Sequence, residues 1–213
     1  MLQLTFPNLK TILCLGAHAD DLEIGCGGTV LKLLRERSEL EVWWIVFSGS
    51  TKRSSEARAS ARAFLNGAPK QHIILKKFRD GFVPSQLGKI KEFFEQLKGQ
   101  VKPDLIFTHF REDRHQDHRV LCELTWNTFR NHLILEYEVP KYDGDLQQPN
   151  TYVALDEQTS RRKTNNLCRF FQTQANKHWF SEDLFLGLMR LRGIECAARF
   201  AEAFYGRKTI VAP

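Results

Sequence analysis

The chain has 213 residues, 42% of them hydrophobic and 26% charged, which excludes a disordered polymer and leaves room for one domain with a substantial core. No stretch approaches the roughly 18 uninterrupted apolar residues of a membrane span, and residues 1–7 carry neither a basic region nor a small-residue cleavage motif, so neither stable membrane insertion nor export is expected. The formal charge of +6 is spread out and its densest group, Ser160-Arg161-Arg162-Lys163, lacks interleaved aromatics; no nucleic-acid partner is expected, and the excess charge suits attraction of an anionic small molecule.

In chain order, residues 11–17 form an apolar, strand-like run, and 24–37 have helical spacing with Val30, Leu31, Leu33 and Leu34 near one face. Residues 41–47 read as a strand covered on both faces, and 55–66 as a helix stopped at Asn66-Gly67. A strand at 72–75, a helix at 85–98, a strand at 104–108, a helix at 115–129 and a strand at 133–137 follow. Strands alternating with helices of this length predict right-handed βαβ units. The fold class expected is α/β: a Rossmann-like three-layer sandwich whose mostly parallel sheet is covered by helices on both faces. Beyond about residue 140 a polar stretch leads to a strand at 151–155 and two helices, 158–175 and 181–204. One domain, 1–213, is expected, with about 1–139 as the βα core carrying the site and about 140–213 as a cap with the C-terminal helices. Cys14, Cys26, Cys122, Cys168 and Cys196 are scattered, with no Cys-x-x-Cys pair, as in a cytoplasmic protein with reduced, packed thiols.

Two segments are dense in ligand-type side chains. His18-Ala19-Asp20-Asp21-Leu22-Glu23 follows the first strand, and the stretch from His109 to His118 follows the strand at 104–108. If those strands are parallel neighbours, both segments open at the same sheet edge, where α/β sheets bind ligands. His18 and Asp21, three apart in a strand-to-helix turn, can reach one ion while Asp20 serves as a candidate general base. His115 and His118 stand i, i+3 on a first helical turn, and Asp117 can accept from an imidazole N–H. One of the two histidines completes a two-His, one-carboxylate zinc site, and the other sits beside the open position. Gly25, Gly27 and Gly28 would let backbone approach a ligand, although their spacing is not the dinucleotide fingerprint.

The run from Ala17 to Thr29 resembles the Ala-His-Pro-Asp-Asp-Glu signature of the LmbE-like, PIG-L-type zinc deacetylases, and His115-Gln116-Asp117-His118 resembles that family's His-Pro-Asp-His motif. Weaker likenesses are Arg53-x-x-Glu56-Ala57, Asp80-Gly81, Gln172-Thr173-Gln174, Arg192-Gly193 and Ala201-Glu202-Ala203-Phe204; the departures are Ala19 for the usual Pro and Leu22, which shifts the acidic residue to Glu23. The resemblance implies that His18, Asp21 and His118 bind one zinc ion per chain, that Asp20 is the general base, and that His115, oriented by Asp117, stabilises the tetrahedral intermediate or acts as acid. It implies removal of acetyl from an N-acetylated amino sugar or glycoconjugate. Arg53, Arg111, Arg114, Glu136 and Tyr137 are the expected substrate contacts. Other divalent metals, an amidase or esterase acting on another acylated molecule, a non-catalytic metal- or carbohydrate-binding protein, and a homo-oligomer remain open at this stage.

Overall fold

The molecule is a computed structural model that describes residues 3–210; residues 1, 2 and 211–213, part of the expected domain and of the segment scanned for an export signal, lie outside the described residues. Its centre is set by two apolar runs, β1 (Thr11–Gly16) and β2 (Glu41–Ser48), which pair in parallel. Because successive strand side chains face opposite ways, each run feeds two cores. Ile12, Cys14, Val42, Trp44 and Val46 pack on one face with residues of α1 (Asp21–Glu36), α2 (Thr51–Phe64) and α5 (Glu157–Phe170). Leu13, Leu15, Trp43, Ile45 and Phe47 pack on the other with α3 (Leu87–Gln100) and α4 (Gln116–Thr128). The result is the three-layer α/β sandwich, and no helix among the described residues is long and apolar enough to cross a membrane.

With β3 (Lys70–Phe78), β4 (Leu105–His109), β5 (Leu133–Tyr137), β6 (Thr151–Leu155) and β7 (Phe200–Gly206), the sheet has the order β3-β2-β1-β4-β5-β7-β6. The order reverses direction between β1 and β4, which pair in parallel, so their carboxyl ends flank the crevice where doubly wound sheets take ligands.

The closing helix expected over 181–204 is a correction. α6 (Glu182–Glu195) ends early, Ala197 turns with φ 58°, and β7 runs antiparallel between β5 and β6. Ala and Glu favour a helix locally, but alternation governs: Glu202 shares a sheet face with Phe200 and Phe204, and the slot between two strands leaves no room for a helix. The helix expected over 158–175 also closes sooner, at Phe170, before a 3₁₀ turn at Gln172–Gln174.

Glu202 is positioned by this strand to accept from the Gly28 and Thr29 amides (2.7 and 2.6 Å), while Lys163 bridges it (2.7 Å) to the Ile24 carbonyl (2.6 Å). Ile24 C=O and Gly28 N–H are groups a regular helix joins to each other, so the buried ion pair engages both members of one rung of α1. The α1 glycines serve this packing, correcting the expectation that they open the backbone to a ligand. A Cβ at Gly25 would lie 2.1 Å from the Tyr137 ring, and one at Gly28 would lie 2.6 Å from Leu155.

Candidate metal centre and active site

The loops leaving β1 and β4 bring the two motifs together. After β1 the chain enters α1 through Asp20, which holds φ 96° and ψ −25°, a left-handed conformation that a non-glycine residue adopts only at a cost. That turn folds Asp21 back so that its Oδ2 accepts from the His18 amide at 2.6 Å. His118, in the first turn of α4, completes a cluster. His18 Nδ1 lies 3.1 Å from His118 Nε2 and 3.3 Å from Asp21 Oδ2, and His118 Nε2 lies 3.5 Å from Asp21 Oδ2. Ligand atoms set tetrahedrally around a zinc ion at about 2.0–2.1 Å are separated by about 3.3–3.4 Å, so the spacing fits.

The surrounding hydrogen bonds fit as well. His118 Nδ1 donates to Asp113 Oδ2 at 2.9 Å, while His18 Nε2 faces Asp117 Oδ2 at 3.1 Å and Asp80 Oδ1 at 3.2 Å. With those outer nitrogens protonated, the two inner nitrogens and the Asp21 oxygen present lone pairs to one another, a donor set that wants a cation. Burial works to depress His18, yet Asp21's charge and the ring's hydrogen bonds to Asp117, Asp21 and Asp80 carry it well above its usual value. His118 goes the other way, pushed by burial and by His109 down to about 4. His115 with His18 and His118, and His109 with Asp21 and His118, also place ligand atoms within 4.8 Å of one another.

Asp20 is buried. Its Oδ1 accepts from Arg53 Nη2 at 3.0 Å, whereas its Oδ2 has no partner among the described residues. Burial raises its carboxyl well above the carboxylate range, against the pull of Arg53. Arg53 also donates to Ala19 O (2.7 Å) and Asp80 Oδ2 (3.1 Å), which places its guanidinium beside Asp20. Glu23, by contrast, is sealed below, its carboxyl pushed by burial to about 7.

His115 caps α4, its Nδ1 accepting from the Asp117 amide at 3.2 Å, which leaves Nε2 to carry the proton of the neutral ring. Its ring lies 4.7 Å from those of His18 and His118. The expectation that the Asp117 carboxylate orients His115 is corrected: it accepts from the Gly81 and Val83 amides (2.8 and 3.1 Å) and faces His18. Burial opposes its charge, but those contacts hold its carboxyl below the usual range.

The remaining expected substrate contacts separate. Arg111 lies over Trp126, its guanidinium 5.2 Å from the ring, and Arg114 is exposed, with its amide held by Asp145. Glu136 is fully buried and is not brought to the crevice, since Trp126 and Arg207 occupy its carboxylate. Tyr137 is equally buried; its ring fills the space over Gly25 and its hydroxyl donates to Leu15 O at 2.8 Å, so it supports the site from beneath. Sequence reading gave no role to His109, whose Nε2 accepts from the Ala17 amide (2.9 Å) and lies 3.3 Å from Asp21 Oδ2, or to Asp113. Both sit inside the second motif, a signal available beforehand; Lys141 and Asp145 behind Asp113 had none.

The family model for PIG-L, described as GlcNAc-PI de-N-acetylase, matches residues 13–129. The Escherichia coli (strain K12) protein called uncharacterized deacetylase YaiS is 28% identical over 138 residues, covering 62% of this chain and 75% of that one. The N,N'-diacetylchitobiose deacetylase of Pyrococcus horikoshii superposes with a TM-score of 0.67 at 21% identity, over 93% of this chain and 84% of that one. The 4-carboxy-2-hydroxymuconate hydratase GalB of Pseudomonas putida KT2440 superposes with a TM-score of 0.72 at 13% identity, over 96% and 99%. At those identities the superpositions speak for the fold alone. The matched span, however, takes in more than half of the chain with both histidine motifs, and the protein belongs to the PIG-L family of deacetylases.

Proposed function

We propose that the protein is a zinc-dependent N-deacetylase acting on an N-acetylated amino sugar or a glycoconjugate that carries one. The observation that carries this reading is the convergence of His18 Nδ1, Asp21 Oδ2 and His118 Nε2 within 3.5 Å, beside a buried aspartate with one unpartnered oxygen. A zinc ion held there would supply Lewis acidity toward water and the acyl oxygen. Asp20, anchored through Oδ1 by Arg53, is the base that takes the proton of the attacking water. His115, its Nδ1 tied to the helix start, directs Nε2–H to the oxyanion, and the proton that Asp20 took from water passes to the departing amine. Asp117 and Asp113 hold His18 and His118 in the tautomers that ligation requires.

The family description and the chitobiose deacetylase support a sugar amide as substrate. The five free cysteines support a reducing compartment such as the cytoplasm. The hydratase of the same fold makes addition of water to another acceptor the second reading, and a deacetylase will release acetate where a hydratase will not. The test is to incubate zinc-loaded protein with N-acetylglucosamine glycosides, lipids and nucleotide sugars, and with O-acetyl analogues, scoring acetate. Asp20→Asn, which tolerates left-handed backbone, is expected to keep its zinc and lose about 100-fold or more in kcat. Full activity at unchanged metal content would remove Asp20 as the base.

A further inference from the structure

We infer that Lys141, from the segment after β5 and outside the family-matched span, is a positioning residue for the metal ligand His118, acting through Asp113; the inference rests on the metal site proposed above. Lys141 Nζ donates to Asp113 Oδ2 at 2.9 Å, the oxygen that also accepts from His118 Nδ1 at 2.9 Å. The same ammonium donates to Asp145 Oδ2 at 2.6 Å and to Val139 O at 3.3 Å. Asp113 Oδ1 in turn accepts from the His115 amide at 2.8 Å, and Asp145 Oδ2 from the Arg114 amide at 2.7 Å. One cation thus joins two carboxylates that hold the Arg114 and His115 amides and the His118 ring.

The side chains of Asp113 and Asp145 are 3% and 4% exposed, and that of Lys141 is 12% exposed, so water does little to screen them. Without the ammonium, two buried like charges face each other, and the cheapest relief is for Asp113 to swing off His118. The imidazole then loses the partner that fixes its direction and its proton. The geometry makes a specific demand: damage done by removing Lys141 is undone by removing the charge of Asp145, which contacts Lys141 and the Arg114 amide and none of His18, Asp21 and His118.

Cobalt(II) reports this directly, through competition with a chromophoric chelator and through its visible absorption, neither of which needs turnover. Lys141→Met is expected to weaken cobalt(II) binding about 10- to 100-fold and to alter the absorption band, the range usual for loss of a partner behind a metal ligand. Lys141→Arg is expected to stay close to wild type, and Lys141→Met combined with Asp145→Asn to recover most of the affinity. Wild-type binding together with unchanged affinity and spectrum in Lys141→Met overturns the inference alone. So does a double variant no better than the single one. Wild-type protein that does not take up cobalt(II) overturns the metal site and this inference together.

Discussion

Tyr137 shows how one side chain links packing to chemistry. Its ring occupies the space a Gly25 side chain would need, and its hydroxyl, 3.1 Å from His109 Nε2, abuts the residue that stacks on His118 with ring centroids 3.8 Å apart. Gly25→Ala is therefore expected to do two things. It should cost about 1–3 kcal/mol by overpacking, read from the shift in urea midpoint. It should also weaken cobalt(II) binding, because Tyr137 cannot yield without moving His109. A variant with lower stability and wild-type cobalt affinity would show the two to be uncoupled.

The residues at the centre were legible because ligand-type side chains sit close together in two short runs, and spacing within a run is a local property. Their outer partners were not. Asp113 and Asp117 are both acidic and both near histidines, and only the path of α4 decides that Asp113 meets His118 while Asp117 crosses to His18. Lys141 reaches Asp113 from a segment with no pattern of its own, so nothing local marks it.

Among elements, α5 offers the cleanest test of local chemistry. Asp156 caps it, accepting from the Thr159 amide at 2.7 Å and pairing with Arg35 at 2.6 Å; the capping bond to Thr159, then Arg35, lowers its carboxyl to about 2. A depressed carboxyl stabilises the fold above its unfolded value near 3.9, and that support is lost as pH falls through about 2. Asp156→Ala is expected to cost about 1 kcal/mol at neutral pH, with the exposed ion pair adding little. The difference in stability from wild type should shrink toward zero by pH 2, and a penalty independent of pH would contradict the assignment. The strand β7 illustrates the opposite case. Its composition argued for helix, and only its neighbours β5 and β6, far apart in the chain, make it a strand.

For the whole molecule, the joint between the last strand and the first helix matters most. Lys163 and Glu202 are each 3% exposed, and they tie α5 and β7 to α1. A buried pair is weak evidence for net stabilisation, but breaking one side of it is costly. Glu202→Ala is expected to lose about 3–5 kcal/mol in denaturant unfolding, because the Lys163 ammonium is left buried without its counter-charge and the Gly28 and Thr29 amides lose their acceptor. Lys163→Met with Glu202→Leu should lose less than that single change. If the double variant is worse, the ionic character itself stabilises the fold.

The switch point between β1 and β4 has a temporal consequence. His18 and His118 stand 100 positions apart. At translation speeds of about 5–20 residues per second, a growing polypeptide exposes the earlier ligands for roughly 5–20 s before the later one emerges. The cluster cannot close until the fourth strand has docked, which would make uptake of the proposed ion a late event in biogenesis and a readout that both halves of the sheet have come together.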